Sequence, residues 1–267
     1  VTMPGHRPQK RLGQHFLVSA EIVRKLIDLI AASPEDVIVE IGPGRGALTV
    51  PLAASGARVV AVEFDRNLAG PLAASLRGYA RTTVLNQDFL AFDPERAGLE
   101  RFVLVGNLPY NLTSPVVEWA VQRRAHILRA VFMVQREVAA RLCAAPGGKD
   151  WSPLGIFTQL VFEAQRRFDV GPEHFRPRPK VHSAVVELRP RTDAPAAPEG
   201  FEPVVRAAFA RRRKQLVNNL APALVPDAAA AQRAIAACGL PAQVRAEQLT
   251  TEDFFNLTRR LRSGSID

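Results

Sequence analysis

Residues 105–115 read VGNLPYNLTSP, a stretch whose side chains suit the capture of a flat amine. Asn107 offers an amide oxygen, and the Leu108 peptide offers a carbonyl beside it. Pro109 lacks an N–H and fixes its own φ, which stiffens the turn. Tyr110 adds an aromatic face. Two acceptors match the two hydrogens of an exocyclic amino group on a planar base. Gripping both favours a more pyramidal nitrogen and aims its lone pair, so positioning alone can supply much of the rate of an N-alkylation. A base inside a helix cannot reach such a pocket; it must be flipped out and stacked on aromatics. Tyr110 is one candidate platform and Phe175, in 174-HFRPRPK-180, is another. The plainer reading of Tyr110, a core aromatic in a rigid turn, stays open on these residues alone.

A second set lies upstream. In 40-EIGPGRGALT-49, Gly42, Gly44 and Gly46 let the backbone turn tightly and approach a ligand closely. Glu63 ends the next apolar run, at the distance where an acid accepts ribose hydroxyl protons. Asp88, in 86-NQDFL-90, follows the third run, where an adenine amino group is within reach of recognition. Gly42, Gly44 and Ala47 also satisfy a loose dinucleotide fingerprint, so the glycines by themselves are weak. Glu40, just before them, favours a cationic ligand over a pyrophosphate. S-adenosylmethionine, a zwitterion with a sulfonium and no phosphate, suits an acid-lined pocket. The competing view of Glu40 is a solvated turn residue.

These groups need a frame that brings the ends of apolar runs together. Ser19 is a plausible cap for a helix with Ile22, Val23, Leu26, Ile27 and Ile30 at helical spacing. Strands are expected at 37–41, 59–63, 82–86, 102–106 and 130–135, with helices at 45–55, 66–77, 113–124 and 136–144 between and after them. Strands alternating with helices mean a parallel, doubly wound, Rossmann-like α/β sheet. After the loop 145–153 and a short helix at 154–161, runs near 163–170 and 181–188 read as an antiparallel pair closing the sheet. Residues 190–200 form a Pro/Ala-rich linker. Helices at 203–219, 227–238 and 250–261 follow. The expected organisation is a methyltransferase-type domain over 1–190 and a small all-helical C-terminal domain over 191–267.

The 267 residues carry a net charge of +9, concentrated after residue 175 and densest at 211-RRRK-214. Such a balance favours a polyanionic partner. Arg211, Arg212, Arg213 and Lys214, followed by Asn218 and Asn219, read as a phosphate-contacting cluster. Arg176, Arg178 and Lys180 flank Phe175 and suit the neighbouring phosphates. For any single one of these residues a solvated face is the simpler account. No apolar run is long enough to span a membrane, and no secretory leader is visible. Cys143 and Cys238 match no metal or redox spacing, so reduced thiols in a cytoplasmic protein, with no metal site, are expected.

Taken in order, 11-RLGQHFL-17, 40-EIGPGRGALT-49, Glu63, 87-QDF-89, 105-VGNLPYNLTSP-115, 133-MVQREVAARL-142, 175-FRPRPKVHSAVVEL-188 and 209-FARRRKQLVNNL-220 span nearly the whole chain. Together they resemble the bacterial small-subunit ribosomal RNA adenine N6,N6-dimethyltransferases. The resemblance implies that His15 and Leu17 sit against S-adenosylmethionine. It places Gly42 at the methionine moiety, Glu63 at the ribose and Asp88 at the adenine amino group, with Asn107 bridging cofactor and target base. It implies two methyls on each of two adjacent adenosines near the 3′ end of 16S rRNA in the immature 30S particle and a role in ribosome assembly; a monomer is expected, though the sequence does not fix the oligomeric state. Position 15 is His where many members have Asn, and the loop 147–153 departs from the usual form. The alternatives are a large-subunit resistance methyltransferase, a catalytically idle assembly factor and, further off, a nicotinamide dehydrogenase.

Overall fold

The computed structural model describes residues 13–211, 213–221 and 223–262; Arg212, one of the expected RNA contacts, lies outside these residues. In chain order the elements are β1 (Phe16–Leu17), α1 (Ala20–Ile30), β2 (Val37–Ile41), α2 (Thr49–Ala54), β3 (Arg58–Glu63), α3 (Arg66–Ser75), β4 (Thr82–Asn86), β5 (Phe102–Asn107), α4 (Thr113–Gln122), β6 (Ile127–Gln135) and α5 (Arg136–Leu142). Then come α6 (Pro153–Val161), β7 (Phe162–Val170), β8 (Phe175–Arg176), β9 (Ser183–Pro190), α7 (Phe201–Ala208), α8 (Leu216–Leu220), α9 (Ala228–Ala237) and α10 (Thr251–Arg262). Two compact units result. One holds the residues up to Ala140 together with Phe162–Arg191; the other holds Arg141–Val161 and the residues from Thr192 on. The sequence pattern assigned 141–161 to the first unit.

The first unit is built on a seven-stranded sheet of order β4-β3-β2-β5-β6-β9-β7. The first five strands in that order run parallel, and β9 pairs antiparallel with both β6 and β7. Chain order departs from β2 towards one edge through β3 and β4, and towards the other through β5 and β6. The carboxyl ends of β2 and β5 are therefore the switch point, where such sheets open a crevice for ligands. Ile41 lies directly opposite Gly106 there. A Cβ on Gly106 would stand 3.0 Å from the Ile41 carbonyl oxygen, so glycine is what lets the strand ends close up.

Helix α1 shows why the pattern was legible. Ser19 accepts from the Ile22 N–H as its cap, and Ile22, Leu26 and Ile30 point inward to join Ile38, Val59, Val103 and Val185 in one core cluster. Burying each such side chain is worth about 1.5–3 kcal/mol. Two expectations need correction. The helix anticipated at 45–55 starts only at Thr49, because Gly42, Gly44 and Gly46 have φ of +59°, +57° and +80°, outside the right-handed helix. The single helix anticipated over 203–219 is two, α7 and α8. The buried Asn219 donates through Nδ2 to the Ala208 carbonyl and to that of Arg211 (3.3 Å), so a side chain takes over where α7 ends.

The second unit has its own core, in which Trp151, Ile156 and Phe157 pack with Phe201, Val205, Leu216, Phe254 and Phe255. The Trp151 Nε1 donates to the Leu249 carbonyl at 2.9 Å. The loop 147–153, whose role the sequence left open, thus carries an anchor for the helical unit.

Candidate active site

At the switch point a cavity of about 230 Å³ opens over the ends of β2, β3 and β5. Of the residues singled out in the sequence, His15, Leu17, Gly42, Glu63, Asp88, Asn107, Leu108 and Tyr110 all line it. Glu40, Gln14, Phe16, Arg45 and Phe64 line it as well. The first wall is the glycine turn. Its amides are already engaged: Gly42 N–H with the Val62 carbonyl (3.0 Å), Gly44 N–H with Glu63 Oε2 (2.9 Å), and Gly46 N–H with the Pro43 carbonyl (2.9 Å). A pyrophosphate-binding turn must present such donors to its ligand; this one presents acids instead.

Glu63 takes one backbone N–H on each oxygen, from Gly44 and from Asp65 (2.8 Å). Burial pushes its carboxyl above the usual range, while those two N–H groups pull it back. Each oxygen keeps a further lone pair for a hydroxyl donor. Glu40 is only 2% exposed, and its Oε2 is buried with no hydrogen-bond partner. Desolvation pushes its carboxyl up to about 8; the Thr49 hydroxyl opposes the rise and the neighbouring Glu63 adds to it. Asp88 is exposed at the rim, where its side chain caps a short turn through the Leu90 N–H (2.9 Å). Beside Glu63, Phe64 is 56% exposed at the same rim. Phe64 belongs to none of the motifs singled out above, although an aromatic straight after a strand-ending acid is a usable signal.

The opposite wall is the 105–111 turn. Asn107 Nδ2 donates to the His15 carbonyl at 2.9 Å, which leaves Oδ1 as its remaining acceptor. The Leu108 N–H is engaged by the Met133 carbonyl at 3.0 Å, so the 107–108 peptide cannot rotate freely. Tyr110 is half-buried, and its hydroxyl meets Ser183 Oγ at 3.3 Å. Burial pushes the phenol up. The third wall is the N-terminal segment. β1 pairs antiparallel with β8, Leu17 opposite Phe175. Phe16 lies under the Arg45 guanidinium, 4.7 Å from the ring centre, and the Phe16 ring would touch a Cβ on Gly44 at 3.1 Å.

Three expectations are altered by these positions. Phe175 is 1% exposed and packs in the core with Leu17 and Val170, so it offers no face to the cavity. Its ring is drawn inward because β8 is laid flat against β1. Arg176 is tied back to the carbonyls of Glu173 (3.0 Å) and Phe175 (2.8 Å), and Arg178 lies 3.9 Å from Glu173; Lys180 is exposed. Arg211 donates to the Asn218 carbonyl and to Asn219 Oδ1 (3.4 Å), stapling the turn before α8, while Arg213 and Lys214 face solvent.

The donor set fits S-adenosylmethionine. A buried, unpartnered carboxyl oxygen borders the cavity, the amides of Gly42, Gly44 and Gly46 are all engaged within the protein, and acids stand at the ends of β2 and β3 and beyond β4. The family model for ribosomal RNA adenine dimethylase matches residues 5–263. The ribosomal RNA small subunit methyltransferase A of Methylococcus capsulatus is 40% identical, over 96% of this chain and 98% of that one. Among solved structures, a dimethyladenosine transferase from Plasmodium falciparum superposes with a TM-score of 0.74 at 24% identity, covering 91% of this chain and 96% of that one. The 23S rRNA methyltransferase ErmE does so at 0.69 with 29% identity, over 92% and 99%. The chain belongs to the ribosomal RNA adenine dimethylase family, enzymes that transfer methyl groups from S-adenosylmethionine to adenine N6 of ribosomal RNA.

Proposed function

We propose that the protein places two methyls on each of two adjacent adenosines near the 3′ end of 16S rRNA, acting as a cytoplasmic monomer on the immature 30S particle. The observation that carries the chemistry is the pair of acceptors at the end of β5: Asn107 Oδ1, left over by the bond to His15, and the Leu108 carbonyl. In this reading they hold the two N–H groups of the target amine while Tyr110 supports the ring. Bound S-adenosylmethionine supplies a methyl on a sulfonium, with Gly42, Glu63, Asp88, His15 and Leu17 as its walls. After one transfer a single N–H remains. The second round then keeps one of the two acceptors, and the half-buried Tyr110 must hold a bulkier amine.

The small-subunit target rests on the curated relative at 40% identity over nearly the full chain. The likeness to ErmE keeps large-subunit RNA as the second reading. Labelled S-adenosylmethionine, given to 30S particles from a strain lacking the modification, is expected to deposit label in dimethyladenosine of 16S rRNA. Label in large-subunit RNA instead selects the second reading, and no label in adenosine rejects both.

The exposed Arg213 and Lys214 are proposed to touch phosphate, with Lys180 as a further cation. Charge reversal of Arg213 and Lys214 is expected to weaken RNA binding and lower the slope of log K against log salt by about 1 for each phosphate no longer neutralised. Arg211→Ala is expected to act on stability, seen as a lower melting temperature, because it unties Asn218 and Asn219. An unchanged salt slope in the reversed variant returns both cations to a plain solvated face.

A further inference from the structure

Residue 15 joins three chain segments of the first unit. Its carbonyl accepts from Asn107 Nδ2 at 2.9 Å. Its Nδ1 lies 2.7 Å from the Pro177 carbonyl, and a carbonyl only accepts, so Nδ1 carries the proton. Its ring is stacked on that of Tyr110, with centres 5.3 Å apart and planes 30° from parallel. The approach is close: Gly13 has a φ of +60°, and a Cβ there would stand 3.1 Å from Asn111 Oδ1, so glycine suits the chain where it runs against the 110–111 turn. Tyr110 is held at its far end by Ser183. One face of the tyrosine is thus covered by an imidazole whose own orientation is fixed from the far side by Pro177. On the platform reading, a flipped base takes the other face.

We propose that His15 is a positioning residue for the target base: its imidazole backs Tyr110 and sets the plane in which the adenine lies for methyl transfer. This rests on the reading of Tyr110 as the base platform. It adds to the expected contact with the cofactor a role directed at the opposite substrate, carried by the side chain, while the backbone of the same residue orients Asn107. An asparagine at this position supplies the backbone carbonyl but no ring, so this chain holds its platform with a stacked pair.

The test uses His15→Ala and His15→Phe. The chain has two tyrosines, Tyr79 and Tyr110, so a sample with labelled tyrosine rings gives two assignable sets of NMR signals. In His15→Ala the Tyr110 ring signals are expected to move while those of Tyr79 stay. The single-turnover rate on 30S particles should fall about tenfold, the loss expected from slight misplacement of a reacting group. The rate is read with S-adenosylmethionine saturating and its affinity is followed by calorimetry, because His15 also lines the cofactor cavity; the loss of about tenfold should persist at saturation, where a weakened cofactor wall alone leaves the rate intact. His15→Phe, which restores a ring over Tyr110, should recover most of the rate. Unmoved Tyr110 signals, or a loss confined to cofactor affinity with the bound-state rate intact, would overturn the proposal, as would His15→Phe as slow as His15→Ala. Tyr110→Ala with an unchanged rate would instead remove the platform reading itself, whatever the His15 variants show.

Discussion

Asn107→Ala is expected to lower the single-turnover rate of methyl transfer by about 10²–10³-fold, the usual effect of deleting one preorganised polar group at a reacting centre. The truncation removes Oδ1, one of the two acceptors proposed for the amine, and the Nδ2 donor to the His15 carbonyl. Affinity for ribosomal RNA should change by less than about twofold, because phosphate contacts dominate it and are proposed for Arg213, Lys214 and Lys180, away from Asn107. Asn107→Asp separates the two functions. It keeps an oxygen for the amine but turns the second oxygen towards the His15 carbonyl, where two acceptors repel. A rate for Asn107→Asp close to that for Asn107→Ala places the orientation by His15 at the centre of the effect; a rate close to the unsubstituted protein places the acceptor there. Turnover unaffected by either change contradicts the two-acceptor account.

Glu40→Gln is the second large effect, and its sign follows from burial. Glu40 is 2% exposed with an unpartnered oxygen, and desolvation holds its carboxyl at about 8. Near neutral pH the ligand-free protein therefore keeps it mainly protonated. A cation in the cavity favours the carboxylate and lowers that value, typically by about 1–3 units for a close opposite charge. Binding of S-adenosylmethionine should then release a proton, and affinity should rise with pH up to about 8. Calorimetry in buffers of different ionisation enthalpy reads the proton directly. In Glu40→Gln the release and the pH dependence should vanish, and affinity for the sulfonium should fall about tenfold or more, since one pKa unit is a factor of ten in binding. S-adenosylhomocysteine, which carries no sulfonium, should bind nearly as before. Equal losses for both ligands would show that the carboxyl shapes the cavity without answering its charge.

The same group acts on stability in the ligand-free state. Its folded value lies above the ordinary carboxylate value, so its contribution is fully present below that ordinary value and is lost as pH rises through about 8. The melting temperature of the free protein should fall over that window through this group, and the fall should flatten in Glu40→Gln.

Much of this site was legible one residue at a time. Glycines that must take positive φ, acids ending apolar runs, and an amide–proline–aromatic turn after a strand are local properties, and strand or helix periodicity is local too. That is why β2 to β6, α1 and the whole row from Gly42 to Tyr110 could be placed from residue types and spacing. Other features depend on partners far along the chain, and no pattern within a window encodes them. Phe175 went from a proposed stacking ring to a core residue because β8 finds β1. Residues 141–161 joined the helical unit because Trp151 meets Leu249, 98 positions on. Arg211, an exposed cation, is also a staple because Asn218 and Asn219 return beneath it. The Asn107 atom left for a substrate, on the proposed reading, was likewise set from a distance: its amide is turned by the His15 carbonyl, 92 residues away, and the His15 ring by the Pro177 carbonyl, 162 residues away. A side chain's chemistry travels with its residue type, but which of its atoms is left unpaired is decided by the packing that engages the others.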